Sequence, residues 1–276
     1  MRAAGASSCR AWQDERSQRM CLIVFAWQQH RECPFLLAAN RDERHARPAA
    51  PMEWWPDTES VLGGRDLQAG GTWLALAQNG RFACVTNYRE QPPQDAKLRS
   101  RGELVADFVA GNAPALDYAQ ALRSQRYAGF SLLLMDAEEL VYVSNREADA
   151  RVLPPGVYGL SNAALDTPWP KLVATRTAMT QLLEESSPTL DGLLNIVLER
   201  AAASPNSTTD DLPTDLTQLM STPFIVGDSY GTRCSTAVLY RDDGHTEVLE
   251  RRFASGGAPD GESRVVFLLD APDRQP

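Results

Sequence analysis

Histidine and cysteine are scarce in this chain of 276 residues, three and five respectively, and they are scattered. The cysteines at 9, 21, 33, 84 and 234 make no CxxC pair and no four-ligand Cys/His set, which excludes a structural zinc site and a disulfide framework. No metal and no cofactor is expected, and the thiols are expected to be free. Long apolar runs are also missing. The longest, at 22–27 and 35–39, fall far short of the ~20 residues a bilayer-crossing helix needs. Residues 1–19 are polar with no apolar centre, so they are not read as a secretory signal, and a cytoplasmic location is expected. Positive charge is in deficit, with 27 basic against 36 acidic residues and a net charge of −9, which argues against nucleic acid as a partner. Glycine and proline, 18 of each, are too dispersed for a fibrous or disordered chain.

What the sequence does have is the composition of a folded protein, 43% hydrophobic and 23% charged. Residues 21–27 and 34–39 read as apolar strands joined by a polar turn, and 73–78 with 81–86 as a hairpin around Asn79-Gly80, a dipeptide suited to positive φ. Ser100 and Glu103 have the spacing of a capping box, predicting a helix to Ala110, and Asn112 with Pro114 predicts another to Gln125. Strands follow at 130–135, 140–145 and 157–160, then helices at 168–185 and 188–203, the second started by Ser187. Residues 203–223 read as irregular, with a helical turn near 215–220, before strands at 224–228, 234–241, 245–253 and 265–269. Antiparallel hairpins alternating with paired helices predict an α+β fold, with two sheets packed together and helices outside. One domain over 20–270 is expected, with 1–19 an extension or a mis-assigned start and 271–276 a tail.

Several polar blocks punctuate this pattern. Met20-Cys21 opens the first strand, and Asn40-Arg41-Asp42-Glu43 follows the second, where it reads either as a solvated loop or as a site. Gly63-Gly64-Arg65-Asp66 and Gly70-Gly71-Thr72-Trp73 precede the hairpin that Thr86-Asn87-Tyr88-Arg89 closes. The glycine pairs lack the strand-then-helix setting of a phosphate loop and are read as backbone turns. Further on stand Tyr158-Gly159-Leu160-Ser161-Asn162, Pro168-Trp169-Pro170-Lys171 and Tyr230-Gly231-Thr232-Arg233. Trp54, Trp55 and Trp73 can either fill the core or line a pocket for an acyl chain. His30, His45 and His245 lie in polar turns and are expected to be exposed.

Taken in this order, the blocks resemble the NRDE family, also called the transport and Golgi organisation protein 2 family, across roughly residues 20–269. That family in turn resembles the N-terminal-nucleophile hydrolases, so the resemblance implies an αββα sandwich of two antiparallel sheets between helical layers. It also implies Cys21 as an N-terminal nucleophile, Arg41 and Asp42 beside it, Asn87 and Asn162 as polar anchors, and Arg233 as a basic support. Asn40, Glu43, Arg44, Trp73 and Tyr88 are the expected substrate-binding neighbours. The chemistry agrees. A thiol needs positive charge or a base to ionise near neutral pH, and a chain-terminal amine with a pKa of about 7.7–8.0 is a suitable base. Arg41 and Arg233 are the cations available, and well-aimed amide donors such as Asn87 or Asn162 are worth roughly 3–4 kcal/mol to an oxyanion.

Cys21 is preceded by twenty residues, so this reading needs translation to start at Met20 or the segment to be removed. Two functions fit. One is a cysteine hydrolase, an amidase or thioesterase acting on a small amide or an acyl thioester. The other is a non-catalytic carrier of acyl-CoA, lipid or haem that uses Arg41, Arg44 and Arg233 to hold anionic groups. Cys33-Pro34 resembles a dipeptide of haem-sensing proteins but reads more simply as a strand start. Cys234 stands where the family usually has Ser or Thr and is expected to be inert.

Overall fold

The computed structural model describes residues 20–90, 98–147, 149–184, 187–209 and 212–270. Residues 1–19 and 271–276, expected to be extensions, lie outside them. Thirteen strands and five α-helices occur among the described residues. One sheet is formed by β1 (Cys21–Trp27), β2 (Phe35–Arg44), β10 (Gly156–Leu160), β11 (Tyr230–Tyr240), β12 (His245–Phe253) and β13 (Pro259–Leu268), in the spatial order β10-β1-β2-β11-β12-β13. The other runs in sequence order through β3 (Ala49–Trp55), β4 (Thr58–Asp66), β5 (Leu74–Ala77), β6 (Phe82–Asn87), β7 (Phe130–Met135), β8 (Leu140–Ser144) and β9 (Arg151–Val152). Every pairing is antiparallel.

Alternation along the strands builds the layers. In β1, Ile23, Phe25 and Trp27 face the other sheet, where they meet Leu76, Phe82, Leu133 and Tyr142. Leu22, Val24 and Ala26 face outward, under α3 (Pro170–Leu182) and α4 (Leu190–Val197). On the far side, α1 (Gly102–Ala110) and α2 (Ala115–Ala121) cover the second sheet through Leu104, Val105, Phe108 and Ala115. The architecture is the expected α+β sandwich of two antiparallel sheets between helical layers. A further helix, α5 (Thr214–Ser221), lies in the segment read as mostly irregular. No helix among the described residues is long and apolar enough to cross a membrane.

The departures from expectation have local causes. The polar block at 40–43 is neither a loop nor solvated, because β2 continues through it to Arg44 and buries all four residues. Gly63-Gly64 is no turn: it sits within β4, where a Cβ on Gly64 would lie 2.4 Å from the Trp73 ring. Only Gly80 of the Asn79-Gly80 pair has positive φ, in a turn closed by the Ala77 N–H on the Arg81 carbonyl at 2.8 Å. The capping box does not form, since the Glu103 carboxylate is drawn to Arg99 and the Tyr127 hydroxyl, leaving α1 to begin at Gly102 without a side-chain cap. Thr189, not Ser187, caps α4, accepting from the Gly192 N–H at 3.1 Å. Residues 224–228 are not a strand, and the chain rejoins the sheet only at Tyr230. His30 and His45 are half-buried rather than exposed.

Candidate active site

The sheet register sets three side chains in a row. Cys21 on β1 pairs with Arg41 on β2, which pairs with Cys234 on β11. Cys21 opens onto a cavity of about 370 Å³ whose walls include Arg41, Asp42, Glu43, Trp73, Asn87 and Arg101. The main chain of residue 21 is held at both ends. Its N–H donates to Asn162 Oδ1 at 2.7 Å, and its carbonyl accepts from Ser161 Oγ at 2.8 Å. Asn162 can aim this way because it adopts φ 57°, a left-handed conformation that asparagine tolerates. Its Nδ2 donates to the Asn87 carbonyl at 2.9 Å, tying β6 to the same anchor. Asn162 is therefore a clamp on the nitrogen of residue 21, and Asn87 stands on the cavity wall.

Arg41 is 8% exposed, and its guanidinium lies 4.3 Å from the centroid of the Trp73 ring. Its charge favours the Cys21 thiolate, as does a hydrogen bond from the Asp42 backbone, but burial and the Asp42 carboxylate oppose ionisation more strongly. The thiol is pushed up to about 11. Behind it, Asp42 Oδ1 accepts from Thr232 Oγ1 at 2.7 Å, while buried Oδ2 has no hydrogen-bond partner among the described residues. Burial lifts this carboxyl to about 6, against the pull of Lys171 and Thr232. Lys171, at the start of α3, is 0% exposed, and its Nζ likewise lacks a hydrogen-bond partner. Burial lowers its pKa while Asp42 and Cys21 hold it up.

Tyr230, the first residue of β11, completes the cluster. Its hydroxyl accepts from the Met20 N–H at 2.5 Å and donates to the Met20 carbonyl at 3.3 Å. Lys171, Thr232 and Tyr230 were not among the expected site residues, although each lies in a polar block the sequence displays. Lys171 beside Leu172 on the apolar face of a helix was the available signal.

Other expected residues serve elsewhere. Asn40 faces the helices: Nδ2 donates to the carbonyls of Val197 and Pro223 at 2.7 and 2.9 Å, and Oδ1 accepts from Ser235 at 2.6 Å. It is a structural anchor. Arg233 Nη1 donates to the carbonyls of Arg44, His45 and Arg47 at 2.9–3.2 Å, so its guanidinium clamps the turn after β2 instead of supporting the thiol. Arg44 and Tyr88 are half-buried outside the cavity wall. Glu43 and Trp73 do line it. Trp55 is buried under α1, and Trp54 packs edge-on against Phe267, so both belong to packing. Cys234 is buried and hydrogen-bonded to Glu250, with its thiol held well above the usual range by burial. Cys33 is fully buried on the helix side of β1 and β2. Among the described residues no group of three His, Cys, Asp or Glu could hold a metal ion.

A family model described as Transport and Golgi organisation 2 matches residues 20–255. The human Transport and Golgi organization protein 2 homolog is 32% identical over 277 residues, covering 91% of this chain and all of that one. The mouse homolog is 32% identical over 84% of this chain and 92% of its own. Among solved structures, a Caenorhabditis elegans N-acylethanolamine-hydrolyzing acid amidase ortholog aligns over 79% of this chain with a TM-score of 0.45 and 13% identity.

Proposed function

The chain belongs to the Transport and Golgi organisation 2 family, and from that premise we propose that it is a cysteine hydrolase whose nucleophile is Cys21 once residue 21 begins the chain. The substrate class is a small amide or an acyl thioester. The observation that carries the reading is the Asn162 Oδ1 acceptor 2.7 Å from the nitrogen of Cys21, the residue that opens onto the cavity. A free amine there keeps one hydrogen on Asn162 and a lone pair for the thiol proton. Sulfur attacks the acyl carbonyl as the amine takes its proton. The Asn87 amide meets the oxyanion, and Arg41 steadies the negative charge. Collapse breaks the C–N or C–S bond, and the ammonium returns its proton to the leaving group. Water then attacks the thioester, its proton passing to the amine, and releases the acid and the free thiol. Asp42 holds the ammonium. Residues 1–20 are absent from the mature protein in this reading.

One observation favours the alternative, a non-catalytic carrier of acyl-CoA, lipid or haem: with residue 20 in place the thiol is pushed up to about 11 and the nitrogen is an amide without a basic lone pair. Matched samples separate the two. A chain beginning at Cys21, the full chain and Cys21→Ala are assayed on a panel of acyl amides and acyl thioesters, beside titration with haem and acyl-CoA. The expected result is turnover by the first alone, lost by at least ~10³-fold in the others, with Cys33→Ala, Cys84→Ala and Cys234→Ala active. Absent turnover, with binding indifferent to Cys21, overturns the hydrolase and leaves the carrier.

A further inference from the structure

Met20 is the last residue before the nucleophile, and it is 0% exposed. Its side chain lies on the helix side of β1 in an apolar nest of Met220, Ile225, Trp169 and Leu219. Its carbonyl accepts from the Tyr230 hydroxyl at 3.3 Å. The carbonyl carbon of residue 20 and the Cys21 sulfur are the two ends of a five-atom array through N, Cα and Cβ, so whatever acyl group sits there lies within reach of sulfur. If the mature chain begins at Cys21, the nest is vacated and Tyr230 is left with a hydroxyl aimed at its mouth.

We propose that the site Met20 occupies is the acyl-binding subsite of the mature protein, taking an unbranched aliphatic acyl group whose chain fills the apolar nest beside the Tyr230 hydroxyl. Met20 itself gives the dimensions. From carbonyl carbon to terminal methyl a methionine residue is about six non-hydrogen atoms long, the length of a hexanoyl group; its side chain is unbranched and apolar, and only its Cα carries a polar group, the N–H that Tyr230 accepts. The side chains packed on Met20 are apolar, Met220 of α5 among them. This deepens the hydrolase reading and rests on removal of residue 20.

The test uses binding, so that it does not depend on turnover. Cys21→Ala protein beginning at residue 21 is titrated with hexanamide and with acetamide, and the same probes are given to the full 276-residue chain, in which Met20 is its own filler. The expected result is hexanamide bound about fiftyfold or more tighter than acetamide by the shorter chain, from four added methylenes, and no preference in the full chain. Met220→Trp and Ile225→Phe, each checked for folding by circular dichroism, narrow the nest and should shorten the preferred chain by two carbons or more. Equal binding of the two amides by the shorter chain overturns the subsite, as does a hexanamide preference that persists in the full chain. Hexanamide binding without any turnover by the Cys21 protein would sink the hydrolase and leave the subsite. Turnover indifferent to acyl length would do the reverse.

Discussion

The polar motif at 40–43 looks like one block in the sequence, but a strand divides it. Period two sends Arg41 and Glu43 toward the cavity and Asn40 to the helices, while Asp42 touches the cavity wall and also acts on Lys171 of α3. Asn40 is buried with three hydrogen bonds, so Asn40→Ala is expected to cost about 2–4 kcal/mol in urea unfolding. A loss below ~1 kcal/mol would refute the anchoring role. Asp42 titrates. Its folded pKa, near 6, lies above the ordinary value of 3.8, so the folded state keeps this proton longer than the unfolded chain does. That contribution favours folding below about pH 4 and is lost as pH rises through about 6, on the order of 3 kcal/mol in all. Asp42→Asn should remove this component from urea midpoints measured between pH 4 and 7. Lys171→Met should push the midpoint of the same component above 6, because the ammonium holds the carboxyl down. A downward move would exclude Lys171 as its electrostatic partner. The sequence made Cys21, Arg41 and Asn162 legible through their flanking motifs. It hid the Lys171 and Tyr230 roles, which depend on α3 and β11 folding over a strand made much earlier.

Elements with a strong period, such as β1, β7 and β12, lie where the sequence puts them, whereas those decided by distant partners do not. β3 and β4 carry no clean alternation and pair through irregular register. β11 begins with a polar block that only the matching polar end of β2 draws into the sheet. The turn before β5 shows the same dependence. Gly70 and Gly71 both adopt φ near +70°, but a Cβ on Gly70 would meet nothing, while one on Gly71 would lie 2.4 Å from the Gly102 carbonyl carbon at the start of α1. Gly70→Ala should therefore cost about 1 kcal/mol, the backbone strain alone. Gly71→Ala should cost about 3 kcal/mol or more, since α1 must retreat from the cavity wall. Chemical denaturation of the two variants checks this, and equal losses would contradict the close approach.

At the scale of the whole molecule, the layered architecture was legible because alternating apolar faces leave few ways to bury two sheets and five helices. The order of assembly is a different matter. The strand that carries the motif is completed by a partner synthesised far later, as the Thr232–Asp42 hydrogen bond spans 190 residues. Such distant pairing slows folding, and until β11 arrives Met20 has no Tyr230 to hold it and no nest to enter. An aminopeptidase working at the ribosome would thus meet an open Met20-Cys21 end for most of translation, and a sealed one afterwards. Protein started at Met20 and refolded intact should resist methionine aminopeptidase, while nascent chains of the same sequence are trimmed. Time since synthesis, rather than the sequence around the bond, would then decide which molecules carry a free amine.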